Sequence, residues 1–362
     1  MSDGLDVLIA GGGTGGHVFP ALALGTALVE CGRTVAFAGS PAGLEARLVP
    51  AAGQTLHLLP GRQLRGGGLR GAIIGAAALA RGFASAVRLL ARLRPRLVVG
   101  VGGYASVAGV LAARSRRVPV ILLEQNAIPG AANRNLGRMA TRVCVGFEEA
   151  GRFFPPGRAV HTGNPVRPEV LATPPLPRRE GLGLLIFGGS QGAHHLNEAG
   201  VAALEALGGT AGPLRVRHQT GVTDQAAIAE AYRRLGVEAR VDAFVDDMGG
   251  AYREADVVVS RAGAMSCAEI TAMGLPAILV PYPYAADDHQ RRNAEIIAAA
   301  GGARMILDRD LDGRRLADAL SPLLADPHTR GQMADRARAL GRPDAAAHVA
   351  RICIDALERR ST

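Results

Sequence analysis

Two glycine turns give the chain the means to hold an anion: GGGTGGH at 11–17 and GGSQGAH at 188–194, preceded by the apolar runs LDVLIA and LGLLIF. Glycines permit tight bends and close backbone approach, and a helix starting at such a turn aims free N–H groups and a positive dipole end at the occupant. That occupant is expected to be an anion, usually phosphate. Such a turn can also be glycine-rich for packing alone, but the matching apolar runs favour a duplicated strand-turn-helix opening. Gly11, Gly13 and Gly16 satisfy GxGxxG, which invites a dinucleotide oxidoreductase. The companion acid is missing, because the second strand, TVAFAGS, ends in Ala38, Gly39 and Ser40.

The elements that must position these turns follow an α/β rhythm. Strand-like runs at 5–10, 34–38, 97–101 and 118–123, then at 182–187, 214–218, 256–260 and 276–281, alternate with helical patterns, including 195–207, 223–235, 265–273 and 289–300. A length of 362 residues with 48% hydrophobic content suits two domains with full cores. The segment 163–180, GNPVRPEVLATPPLPRRE, is too proline-rich for regular structure and should hold the boundary. Gly341 and Pro343 set off 344–360 as a separate helix, able to pack on either half. All 41 basic residues are Arg, so a Walker-type phosphate loop and Schiff-base chemistry are both excluded. The formal charge of +9 points to nucleic acid, an anionic membrane or phosphorylated substrates without choosing among them. Four scattered cysteines suit neither a zinc site nor a disulfide scaffold, and suggest a reducing cytoplasm. The start lacks a signal-peptide pattern, and no apolar stretch is long enough to span a membrane.

The motifs GGGTGGH at 11–17, VGGYAS at 101–106, EQN at 124–126, GNPVR at 163–167, GGSQGA at 188–193, RAGAMSCAE at 261–269 and DDHQRRNA at 287–294 resemble the MurG family of N-acetylglucosaminyltransferases. The resemblance runs in order over nearly the whole chain. It implies a GT-B fold, two Rossmann-like doubly wound domains with parallel sheets facing across a cleft. An acceptor-binding, membrane-facing domain is then expected at 1–163 and a UDP-sugar domain at 164–341, with 342–362 returning to the first. The implied reaction is inverting transfer of N-acetylglucosamine from UDP-N-acetylglucosamine to the 4-hydroxyl of undecaprenyl-pyrophosphoryl-MurNAc-pentapeptide (lipid I), giving lipid II for peptidoglycan synthesis.

For the donor, Gly263 and the following helix start, with Ala264 and Met265, present N–H groups to a diphosphate. Ser190 and Arg167 suit it by hydroxyl and charge, although a surface ion pair is the ordinary role of such an Arg. The family gives Glu269 the ribose; Ser266 to Glu269 also fits a capping box. By resemblance Val245 holds uracil through its main chain, His289 and Gln290 contact the sugar, and Thr14 and Asn126 join them from the first domain. Asp287 or Asp288 could instead only cap the helix. The acceptor is assigned to Gly12, Gly13, Thr14, Gly15, Gly16, Gly103, Tyr104, Glu124 and Asn126. His17, opening the first helix, is the candidate general base, kept neutral by the helix N-terminus; capping or packing is its alternative.

No metal or cofactor is expected. DRDLD at 308–312 contains Asp-x-Asp, but capping of the next helix explains it better. In the arginine-flanked apolar stripe at 62–94, Ile73, Ile74, Leu79, Phe83, Arg70 and Arg81 should meet an anionic membrane, unless they are a core face. Expected partners are UDP-N-acetylglucosamine, lipid I, that membrane and cell-wall synthesis proteins, without nucleic acid, at the cytoplasmic face of the inner membrane. A UDP-N-acetylglucosamine 2-epimerase of the same fold and a noncatalytic UDP-sugar-binding subunit remain alternatives.

Overall fold

The computed structural model describes residues 4–60, 69–171, 180–189, 192–208 and 212–359, and residues 69–78 by backbone alone. The chain divides into two compact units, residues 1–167 with 344–362, and residues 168–343. The division falls four residues after the expected 163/164 boundary, inside the proline-rich segment.

The first unit is built on a seven-stranded parallel sheet: β1 (Val7–Ala10), β2 (Val35–Gly39), β3 (Leu56–Leu58), β4 (Leu97–Gly100), β5 (Val120–Glu124), β6 (Arg142–Val145) and β7 (Ala159–His161). Their order in space is β3-β2-β1-β4-β5-β6-β7. β1 pairs with β2 on one side (Val7 beside Val35) and with β4 on the other (Val7 beside Leu97). Val-Leu-Ile-Ala in β1 is buried throughout because helices cover both sheet faces, so no polar alternation survives. Alternate residues still divide between two layers. Val7 and Ile9 join Leu24 and Leu28 of the helix Gly15–Glu30, while Leu8 and Ala10 join Leu89 and Leu90 of the helix Leu69–Leu93.

The C-terminal helix Ala345–Glu358 belongs to this unit. Its Val349, Cys353 and Leu357 lie four residues apart and sink into the core beside Val7 and Ile9.

The second unit contains β8 (Leu182–Phe187), β9 (Leu214–Gln219), β10 (Glu238–Asp242), β11 (Val257–Ser260), β12 (Ala277–Leu279) and β13 (Ala303–Met305), all parallel, in the order β10-β9-β8-β11-β12-β13. Each sheet reverses its strand order once, at β1/β4 and at β8/β11. In open parallel sheets ligands bind beyond the carboxyl ends of the strands at this reversal. Both duplicated glycine turns follow those strands.

Candidate active-site loops of the two units

In the first unit the chain leaves β1 through Gly11, Gly12 and Gly13, with φ of +146°, +145° and +95°, which side chains rarely tolerate. A Cβ on Gly11 would come within 2.5 Å of the Gly102 carbonyl oxygen. The Gly12 N–H donates to that carbonyl at 3.2 Å, tying the turn after β1 to the turn after β4. The helices Gly15–Glu30 and Tyr104–Ser115 begin from this joined backbone, and neither cap residue, Thr14 or Gly103, accepts a backbone N–H of its helix through a side chain. First-turn N–H groups are thus not claimed by a capping side chain, the arrangement that suits an anion at a helix start.

His17 lies in that first turn. Its Nδ1 is 3.1 Å from the Gly12 carbonyl oxygen and 3.3 Å from Thr14 Oγ1. A carbonyl only accepts, so the neutral ring carries its proton on Nδ1 and keeps a lone pair on Nε2. The Nε2–Cδ2 edge lies against Gly102, whose missing Cβ would sit 2.7 Å from it. This arrangement holds the neutral ring in one tautomer.

Glu124 ends β5 and is turned away from solvent. It is 3% exposed, its Oε1 accepts the Asn126 N–H at 3.0 Å and its Oε2 accepts from Asn133 Nδ2 at 2.9 Å. Burial pushes its carboxyl up, against the hydrogen bonds that favour the carboxylate. These bonds shape the loop that carries the half-buried Asn126. Gln125 Nε2 donates to the Val101 carbonyl at 3.1 Å, joining this loop to the β4 turn. Burial likewise pushes the Tyr104 phenol up, with Arg81 acting against it, and its hydroxyl approaches Gly82 of the helix Leu69–Leu93.

Arg167 falls in the first unit, its guanidinium 4.4 Å from the Phe19 ring centre. The sequence had grouped it with the UDP-sugar domain. Of the stripe expected to meet a membrane, the side chains of Arg70, Ile73 and Ile74 lie outside the described residues. Arg81 is exposed and Leu79 half-buried, whereas Phe83 is half-buried against the core.

In the second unit Gly188 and Gly189 follow β8; Ser190 lies outside the described residues. Gly192 (φ +77°) approaches the Thr220 carbonyl so closely that a Cβ would lie 2.0 Å from that oxygen. Thr220 is itself held by the fully buried Asn197, which donates to its carbonyl at 2.9 Å and to Asp224 at 2.7 Å. Asn197 Oδ1 accepts from His218 Nε2 at 3.1 Å, so His218 Nδ1 accepts the Tyr232 hydroxyl at 2.8 Å. Burial lowers the His218 imidazole to about 3 and keeps it neutral.

Beyond β11, the helix Ala264–Met273 starts with Gly263 as its cap. Ser266 and Glu269 are both inside it, so the capping-box alternative is ruled out. Glu269 is buried and accepts the Tyr252 hydroxyl at 3.0 Å. Ala264, Met265 and Val245 are buried, and Val245 follows the exposed Phe244.

Asp287 and Asp288 take left-handed backbone angles (φ 51° and 53°) just before the helix His289–Ala299. Asp288 is its N-cap residue without a side-chain capping bond, and pairs with Arg291 at 3.7 Å. His289 Nδ1 bonds the Ala286 carbonyl at 2.6 Å, leaving Nε2 as an acceptor. Gln290 Oε1 accepts the Tyr282 N–H at 3.0 Å, so of its two polar atoms the amide nitrogen is the one able to donate elsewhere. Buried Asn293 donates to the Ala262 carbonyl at 3.1 Å, fastening this helix to the β11 turn.

Sequence reading missed Arg261, whose guanidinium is nearly buried and bonds the Val280 and Pro281 carbonyls and Asp308. Asp308 is thereby engaged, and Asp312 caps the helix Gly313–Ala325 by accepting the Arg315 N–H at 2.7 Å. Of the three carboxylates of DRDLD, Asp308 is thus spent on a salt bridge and Asp312 on a cap, while Asp310 lies 3.9 Å from the Arg309 guanidinium.

Comparison with known proteins extends these observations. Residues 7–145 match the model of the glycosyltransferase family 28 N-terminal domain, and residues 183–349 match that of the family 28 C-terminal domain. The UDP-N-acetylglucosamine–N-acetylmuramyl-(pentapeptide) pyrophosphoryl-undecaprenol N-acetylglucosamine transferase of Alkalilimnicola ehrlichii is 47% identical, covering 97% of this chain and 99% of its own. The chain belongs to the MurG family. The identically named Pelobacter propionicus transferase is 43% identical, covering 97% of this chain and 98% of its own. The crystal structure of Acinetobacter baumannii MurG matches with a TM-score of 0.78 and 32% identity, covering 97% of this chain and 99% of that one. Two parallel-sheet domains of the GT-B class are thus common to the chain and the MurG family.

Proposed function

We propose that the chain transfers N-acetylglucosamine from UDP-N-acetylglucosamine to the 4-hydroxyl of the muramoyl group of lipid I, forming lipid II and UDP. The observation that carries this reading is the match, along 97% of the chain, to relatives named for that transferase activity. The chemistry fits the two turns. His17 Nε2, unprotonated in the tautomer set by Gly12, accepts the proton as the acceptor oxygen attacks. That oxygen displaces UDP from the anomeric carbon in one step, so an α-linked donor gives a β-linked product. The helix starts after β8 and β11 stabilise the departing diphosphate, and Glu269 takes the ribose hydroxyls.

The reaction as read here needs no metal or cofactor. The substrate is anchored in a lipid, and no helix among the described residues is long and apolar enough to cross a membrane. Peripheral contact with an anionic surface at the cytoplasmic face, through the helix Leu69–Leu93, accounts for access to it. Formation of a disaccharide lipid from UDP-N-acetylglucosamine and a lipid I analogue tests the reading. Epimerised UDP-sugar without transfer, or UDP binding without turnover, would select one of the alternatives.

A further inference from the structure

The peptide group joining Gly12 to Gly13 is gripped from both sides. Its N–H donates to Glu45 Oε2 at 2.6 Å, and its carbonyl oxygen lies 3.1 Å from His17 Nδ1. Glu45 comes from another part of the chain, the start of the helix Glu45–Ala51 after β2. It is 2% exposed, and its second carboxylate oxygen accepts the Ser40 N–H at 2.8 Å. Backbone encloses it: a Cβ on Gly12, Gly39 or Gly43 would fall 2.2, 2.4 or 2.1 Å from its side chain. No cation pairs with it among the described residues. A buried carboxylate without a counter-ion is costly, and two backbone N–H groups are its compensation.

We propose that Glu45 is a positioning residue for His17, acting through the Gly12–Gly13 peptide group to hold the imidazole in the Nδ1–H tautomer with its lone pair on Nε2. The inference rests on His17 being the proton acceptor of the transfer. A carboxylate accepting from an amide N–H polarises that amide and makes its carbonyl a better acceptor. The carbonyl then favours Nδ1–H, because the other tautomer sets two lone pairs against each other. Catalytic triads achieve this with a carboxylate directly on the imidazole; here one peptide group lies between them. Gln is a poor substitute, since both groups approaching Glu45 are N–H donors and its own NH2 would oppose one of them.

The test uses the full chain labelled with ¹⁵N-histidine, with His17 assigned by its absence from His17→Ala. At a pH where the ring is neutral, wild-type His17 should show a protonated Nδ1 and an unprotonated Nε2. In Glu45→Gln the two shifts should converge as tautomers mix, and kcat should fall roughly tenfold or more with KM for UDP-N-acetylglucosamine unchanged. An Nε2–H ring in the unmutated enzyme overturns the proposal, as does Glu45→Gln with wild-type tautomer and kcat. Should Glu45→Gln fail to fold, the shorter carboxylate of Glu45→Asp, unable to reach both N–H groups, should give the same convergence; unchanged shifts there also overturn it. A wild-type rate in His17→Ala would instead reject the proton-acceptor reading, leaving the spectra to judge the relay alone.

Discussion

Tyr252 donates its hydroxyl to Glu269 Oε2 across 3.0 Å, with both side chains buried. One carboxylate oxygen is thereby fixed by the helix Met248–Glu254, and the carboxyl group is oriented before any ligand arrives. Removing it should weaken UDP-sugar binding by about 1–3 kcal/mol, the range for a charge-assisted hydrogen bond. Calorimetric titration of Glu269→Ala with UDP-N-acetylglucosamine measures this, and Tyr252→Phe should give a smaller loss. Wild-type affinity in a folded Glu269→Ala would reject the ribose role.

His17→Ala should lower kcat by roughly a hundredfold or more while leaving donor affinity near normal. Steady-state kinetics with both substrates varied separates the two effects. Activity should persist in EDTA; a strict metal requirement would contradict the proposed mechanism.

Stability should decline on acidification through the buried network of the second unit. His218 is lowered from 6.5 to about 3, so between those values the unfolded chain binds a proton that the native chain refuses. Its contribution is complete above pH 6.5 and is lost as pH falls towards 3, with a limiting slope of about 1.4 kcal/mol per pH unit. Urea unfolding at several pH values, compared with His218→Gln, isolates it. Equal pH slopes in the two proteins would show that His218 is not the cause.

Membrane contact should appear as binding to anionic vesicles that weakens as salt rises. Leu79→Ser should reduce it without altering UDP affinity. Phe83→Ser should instead lower the melting temperature, because that ring packs on the core of the first unit. Absent vesicle binding at low salt would make the helix an ordinary core element.

The strands nearest each order reversal were legible, whereas the edge strands and the interior β6 were not. β8 was expected at 182–187 and found there, and the helix after β11 starts one residue from its expected place, because buried central strands are unbroken apolar runs. β3, β7 and β13 have three residues each, too few to establish a period. β10, Glu-Ala-Arg-Val-Asp, is an edge strand with no apolar run. In the site, residue types sufficed to place the glycine turn after β1 and His17 in the first turn of the helix that follows it. The loop-shaping bonds of Glu124 to Asn126 and Asn133 left no mark in the sequence, because residue type does not say which loop amides a carboxylate will accept from. Glu45 left no signal: a Glu opening a helix is commonplace, and its partner Gly13 lies 32 residues earlier.

The return of the helix Ala345–Glu358 to the first unit shapes how the protein can be made. Cys353 and Leu357 share a core with Val7 and Ile9, and all of residues 168–343 are synthesised between them. On the ribosome the second unit has its complete sequence first and can fold as a unit, while the first waits with part of one face of its sheet uncovered. That exposed apolar surface during synthesis is where chaperone protection is most needed. A change as remote as Val349 can therefore reduce yield without touching either glycine turn.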